Sequence, residues 1–161
     1  MNALADWMQS TWINGLAVNY AWSWPTLETI HFIGMSMLIG AIIIMDLRLI
    51  GVQRVIPSLS VHTLLPVAFI GFGLNLLTGI MFLFGDPHRY FINISFQIKM
   101  VLVLLAGLNA LLYAIKVAPS MATAAPHDPM PALAKAVGAT SLTLWIGVIC
   151  FGRLIPYLGT G

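Results

Sequence analysis

Apolar and polar positions along the chain form four long apolar runs, at about residues 25–47, 60–84, 95–117 and 134–157. Each is close to the roughly 20 residues an α-helix needs to cross a bilayer. Ahead of them, residues 3–20 set Leu4, Trp7, Met8, Trp12, Leu16 and Tyr20 at helical spacing, and Trp22, Trp24 and Pro25 follow. Tryptophan favours the headgroup level, so this stretch predicts a short amphipathic helix lying in the interface. The connectors agree with these limits. Asp46-Leu47-Arg48, Arg54 and Pro57 close the first run, and Gly85-Asp86-Pro87-His88-Arg89 reads as a turn after the second. Four prolines fall between Pro119 and Pro131, the only long loop. The expected architecture is all-α: one transmembrane domain over 1–161, an integral membrane four-helix bundle with an N-terminal amphipathic interfacial helix and no internal repeat.

Composition narrows the class further. Only 7% of the 161 residues are charged, and 60% are hydrophobic, giving a mean hydropathy of +0.95. Soluble domains carry about 25% charged residues, so the soluble class is excluded. No Lys/Arg cluster is present to bind nucleic acid. The single cysteine, Cys150, rules out an internal disulfide or a CxxC motif and reads as a packing residue. The N-terminus lacks the basic region of a signal peptide. With four spans both termini share one face, here called side A. Side B carries Arg48, Arg54, Lys116 and Lys135, whereas side A carries Arg89, Lys99 and Arg153. That balance favours a cytoplasmic side B, so the expected location is a bacterial inner membrane with both termini periplasmic.

Ionisable groups inside a span are costly and need a partner or a use. Glu28 and His31 stand three residues apart, and Met35, Leu38, Ile42 and Met45 continue their stripe. His31 lies roughly 9 Å inside the span. The second span presents Gly71, Asn75, Thr78 and Gly79, small and polar residues suited to close helix contact. The third aligns Lys99, Ala106, Asn109, Tyr113 and Lys116, and the fourth offers Gly147, Cys150, Arg153 and Tyr157. If all four stripes face inward, Glu28, His31, Lys99 and Arg153 converge near side A.

Several chemistries fit such a cluster. In the first, His31 ligates the iron of a haem b, Lys99 and Arg153 neutralise its propionates, and Glu28 orients His31 or moves a proton. A di-iron site is disfavoured, because those bundles need two E-x-x-H pairs and two further carboxylates. Copper handling through His31, Met35, Met81 and Met100 is an alternative, as is a proton or quinone relay through Glu28 and His31. An ion pair that only fixes helix register is the plainest reading. For a second axial ligand, His62 begins the second span on side B, a bilayer of about 30 Å away from His31. His88 reaches only if its turn folds inward, and His127 lies in the proline-rich loop. Met81 and Met100 stand near side A. Pro66 is expected to distort the turn beside His62.

Glu28-Thr-Ile-His31-Phe-Ile-Gly34, Asp46-Leu-Arg48-Leu-Ile-Gly51, Asp86-Pro-His-Arg-Tyr90, Phe96-Gln-Ile-Lys99 and Gly152-Arg153-Leu-Ile together resemble an uncharacterised family of four-span bacterial membrane proteins over nearly the whole chain. More loosely, the His-x-x-Gly opening and Arg-Leu exit of span one, with Ile-Lys in span three, are similar to HemJ-type protoporphyrinogen oxidases and CopD-type copper-resistance membrane proteins. The HemJ likeness implies haem b at His31, with Arg48 and Lys99 as the matching basic residues. Tyr113 stands where such relatives often place a histidine. The resemblance and the residues together give an expected haem-binding electron-transfer or membrane-anchor subunit, an accessory subunit more than a stand-alone enzyme. It would work beside quinone, a periplasmic redox protein or a larger membrane complex. A copper-handling protein and a non-catalytic structural subunit are the alternatives.

Overall fold

The computed structural model describes residues 2–52, 58–122 and 130–158. The described residues form helices joined by short turns: α1 (Asn2–Gln9), α2 (Trp12–Val18), α3 (Ser23–Ile50), α4 (Ser58–Gly85), α5 (Pro87–Ile92), α6 (Ile94–Leu112), a π-helical turn (Tyr113–Val117), α7 (Ala118–Ala122) and α8 (Ala132–Leu154). The four long helices, at 23–50, 63–85, 94–120 and 132–154, are long and apolar enough to span a membrane. The chain is a multi-pass membrane protein with an all-α four-helix bundle. Each span matches its apolar run within a few residues. Arg54 and Pro57, and His127 with most of the proline-rich loop, lie outside the described residues.

The predicted interfacial helix is two helices. The Ser10 hydroxyl donates to the Trp7 carbonyl and that of Thr11 to the Met8 carbonyl. Thr11 also accepts from the Asn14 amide as the N-cap of α2. Serine and threonine compete with the helical ladder in this way, and the chain breaks there. The two pieces are seated on the side A end of α4. Asn14 donates to the carbonyls of Phe84 and Gly85, at 2.8 and 3.3 Å, which serves orphan acceptors at the helix terminus. Trp7 meets Phe84 edge-on.

The expected turn at 85–89 is a capped helical turn. Asp86 accepts from the Arg89 amide, and Pro87 occupies the first helical position, where its missing N–H costs nothing. Asn93 then opens α6. Its Oδ1 accepts from the Phe96 amide at 3.1 Å. Its Nδ2 donates to the Ile155 carbonyl at 2.8 Å and to that of Leu158. This fully buried side chain joins the start of α6 to the end of α8. At the other face, α3 ends on Gly51 at φ 95°, with the Val52 amide returning to the Leu47 carbonyl, a left-handed cap that glycine adopts without strain. The helix of α4 continues through Pro66, as membrane helices permit.

Among the described residues, packing runs α4–α3–α8–α6, and α4 makes no substantial contact with α6. The α3–α4 seam is the most extensive and depends on glycine. A Cβ at Gly71 would stand 2.6 Å from both the Gly34 carbonyl oxygen and the Leu38 nitrogen. Lipid is as apolar as leucine, so helices in a bilayer gain little from burying leucine alone. Close backbone approach supplies the missing attraction. Large apolar side chains such as Phe69 and Leu77 on α4, and Leu104 and Leu108 on α6, stay exposed and face lipid.

Candidate functional site

His31 sits on α3, one turn before Gly34, where the α3–α4 contact is tightest. That closeness places its Nδ1 2.7 Å from the Thr78 hydroxyl of α4. The direction of this bond follows from Thr78's other neighbour. Its oxygen is 2.6 Å from the Leu74 carbonyl, a separation two oxygens tolerate only with a proton between them. The single hydroxyl proton therefore goes to Leu74, and Thr78 accepts from His31 Nδ1–H. A neutral imidazole carries one N–H. The remaining nitrogen, Nε2, thus holds a free lone pair, the form in which histidine binds metals.

The ring is half-buried and meets Phe82 edge-on, with centroids 5.6 Å apart. Phe82 in turn packs on Trp24, whose indole covers Gly85. From α6, the Lys99 side chain crosses Gly152 of α8. A Cβ at Gly152 would lie 3.6 Å from its Nζ, and its charge reaches His31. His31 and Lys99 therefore belong to one site, at the side A end of the bundle.

Glu28 and Arg153 do not join them. Glu28 is exposed, and no hydrogen bond or ion pair links it to His31 among the described residues. It acts instead on Tyr90 of α5. Arg153 is exposed and donates to the Tyr157 hydroxyl at 3.0 Å, its guanidinium also lying over that ring. Long charged side chains near a span's end extend toward the interface, which accounts for both placements. His88 is committed elsewhere: its Nε2 is 2.9 Å from Asp6 Oδ1, tying α5 to α1. Met81 lines a shallow groove with Leu16, Tyr20 and Leu27, and Met100 is exposed. His62 starts α4 on side B, and its side chain is not among those described. Cys150 is exposed, so it faces lipid and does not serve as packing.

Sequence reasoning missed a second polar centre on the same helix. Asp46, read from the sequence as marking the exit of span one, is 5% exposed. Its carboxyl is hydrogen-bonded by Ser141 of α8, and it lies within electrostatic reach of Tyr113. One carboxyl oxygen, Oδ2, is buried with no partner. Gly138 makes this possible, since a Cβ there would sit 3.0 Å from the Asp46 carbonyl oxygen and 2.9 Å from Leu49 Cβ. The available signal was the pair of small residues, Gly138 and Ser141, on the face of α8 that meets the exit of α3. Nearby, Asn109 of α6 donates to the Val137 carbonyl at 3.1 Å. The π-helical turn begins at Tyr113, and such turns recur at functional sites.

The chain matches no protein-family model, no curated protein and no solved structure.

Proposed function

We propose that this protein binds a b-type haem near side A through His31 and acts as an electron-transfer or membrane-anchor subunit of a redox system. The proposed setting is a bacterial inner membrane with both termini periplasmic. The observation that carries the reading is the 2.7 Å contact between His31 Nδ1 and the Thr78 hydroxyl, itself 2.6 Å from the Leu74 carbonyl. Thr78 accepts a hydrogen bond from Nδ1–H and fixes the ring, which leaves Nε2 as a directed lone pair. The donor set fits the group: one oriented imidazole and one ammonium for a propionate. His31 would hold the iron and Lys99 would pair with a propionate, leaving Glu28 and Arg153 at the rim. When bound, a haem supplies a one-electron carrier, which would exchange electrons with quinone or a periplasmic redox protein.

Lys99 also favours haem over a bare copper ion. An ammonium acting on the imidazole opposes a naked cation at Nε2, whereas it complements a macrocycle with carboxylate arms. The test is a dithionite-reduced minus oxidised spectrum of protein purified in mild detergent after expression with haem available. Sharp α and Soret difference bands at near one haem per chain are expected. His31→Ala should remove them while the protein remains in the membrane. A wild-type protein without the bands, or a His31→Ala variant that keeps them, would overturn the assignment.

A further inference from the structure

At side A, the turn between α2 and α3 and the last turns of α4 enclose a groove of about 340 Å³. Leu16, Leu27 and Met81 line it with apolar side chains, and Tyr20, Trp22, Ser23 and Thr26 with polar ones. No charged side chain lines it. On α3 and α4 the two kinds are separated by depth. Leu27 and Met81 stand four residues inside the ends of α3 and α4, at Ser23 and Gly85, about 6 Å down each span. Tyr20 and Trp22 precede α3, and Ser23 and Thr26 belong to its first turn. Each of these four side chains carries an O–H or N–H donor, and among the described residues none of those donors has a hydrogen-bond partner. Further along α3, Thr29 and Ser36 turn their hydroxyls back to the carbonyls of Pro25 and Phe32. Ser23 and Thr26 do not, so the rim of the groove keeps its donors available.

We propose that this groove holds one membrane phospholipid, its ester and phosphate oxygens accepting from Tyr20, Trp22, Ser23 and Thr26 and an acyl chain lying along Leu27 and Met81. Three features select that occupant. The order of polarity, donors at the rim and apolar side chains below, is the order a phospholipid presents from its glycerol region to its chains. Tryptophan and tyrosine favour that level of the bilayer. The rim offers neutral donors, and lipid ester and phosphodiester oxygens are acceptors that match them. A second copy of the chain fits less well, because the carbonyls of a membrane helix are already used within it. A water-soluble ligand would leave the Leu27–Met81 floor uncovered. With no charge at the rim, the groove reads the glycerol region that phospholipids share, and the headgroup extends beyond it. Such a lipid would bridge the interfacial helix α2 to the α3–α4 pair. Neither His31 nor Lys99 lines the groove, so this inference does not rest on the haem reading.

The test is native mass spectrometry of the full-length protein in detergent, titrated with palmitoyl-oleoyl phosphatidylethanolamine or phosphatidylglycerol. Saturable retention of one lipid per chain is expected, with the two headgroups within about twofold of each other because the rim is neutral. Ser23→Ala combined with Thr26→Val removes two donors and should weaken retention by about fivefold or more, the worth of two modest hydrogen bonds. Thr26→Phe fills the groove and should abolish retention. Thr26 is exposed, so this variant should fold and keeps the test decisive if the double variant does not. Phe69→Ala, on the lipid-facing side of α4, should retain lipid as the wild type does. Undiminished retention in Thr26→Phe would overturn the proposal. So would a preference for phosphatidylglycerol of more than about tenfold, which would place the lipid on basic residues such as Arg89 and Arg153. Folded wild-type protein that retains no lipid would overturn it too, because the groove would then meet only exchanging bilayer lipid. His31→Ala should lose the haem bands and keep the lipid, so the two readings fail separately.

Discussion

The two polar centres of α3 lie at opposite ends of one helix and are built alike. At side A, His31 spends one nitrogen on Thr78 and keeps the other available. At side B, Asp46 has a hydrogen bond from Ser141 and keeps one oxygen without a partner. Both lie beside a glycine contact, Gly34 with Gly71 on α4 and Gly138 on α8. In a bilayer, polar groups persist where neighbouring backbones come close enough to exclude lipid and lend hydrogen-bond partners. The centres differ in enclosure. Asp46 is almost completely covered, whereas His31 is half-buried.

Breaking the glycine contacts should separate the two centres most forcefully. At Gly71 an added methyl meets two backbone atoms of α3, the Gly34 oxygen and the Leu38 nitrogen, at 2.6 Å, and these cannot rotate away. Gly71→Ala is expected to cost about 1–3 kcal/mol, as overpacking usually does, and to displace Thr78 from His31. At Gly138 the clashes are milder, 2.9 Å to Leu49 Cβ and 3.0 Å to a carbonyl, so Gly138→Ala should cost less and leave the His31 site intact. Gly107→Ala is the control, since a Cβ there meets nothing within 4 Å. Thermal unfolding in detergent, followed by circular dichroism, should rank the variants in that order. A Gly71→Ala protein as stable as Gly107→Ala would show that the α3–α4 seam is not held by close approach.

Thr78→Val tests the His31 centre with less disturbance. Valine keeps the shape of threonine and removes the acceptor for Nδ1–H, so the fold should hold while the imidazole loses its fixed tautomer. Haem affinity is expected to fall roughly 10–100-fold, the usual consequence of removing such a supporting bond. Haem titration of the apo-protein, read at the Soret band, measures it. Unchanged affinity would mean that Thr78 does not set the ligand, and the parallel with Asp46 and Ser141 would lose its meaning.

Much of this was legible in the chain. The spans follow from runs of apolar residues, and the α4 stripe from Gly71, Asn75 and Thr78 at helical spacing, because both depend only on local periodicity. Lys99 near His31 was also foreseeable from inward stripes. Glu28 and Arg153 were not placed correctly, because spacing fixes where a Cα points and leaves open where a long charged side chain ends. Asp46 escaped for the opposite reason. An acidic residue near a span's end ordinarily faces headgroups, and only the approach of Gly138, nearly a hundred residues away, encloses it. Ser10 and Thr11 did signal the break between α1 and α2, but the apolar periodicity on either side runs straight through them.

The smallest expected effect concerns the rim that holds α5 beside the side A centre. Tyr90 packs edge-on against Phe96, with ring centroids 5.2 Å apart. Burial pushes its phenol above the usual value near 10; Arg89 opposes that shift, and Asp86 and Glu28 reinforce it. A raised phenol favours the neutral form in the folded state, so its contribution is fully present below about pH 10, the unfolded value. That contribution then declines as pH rises from there through the folded value. Tyr90→Phe should therefore remove absorbance at 295 nm from the late part of an alkaline titration. Asp46 sits at the other end of the bundle and is shielded from solvent, so its contact with Ser141 should not follow this titration. An Asp46→Asn substitution that shifted the Tyr90 titration would show that the two ends of α3 are coupled, and would replace the picture of two independent centres with one of a single relay.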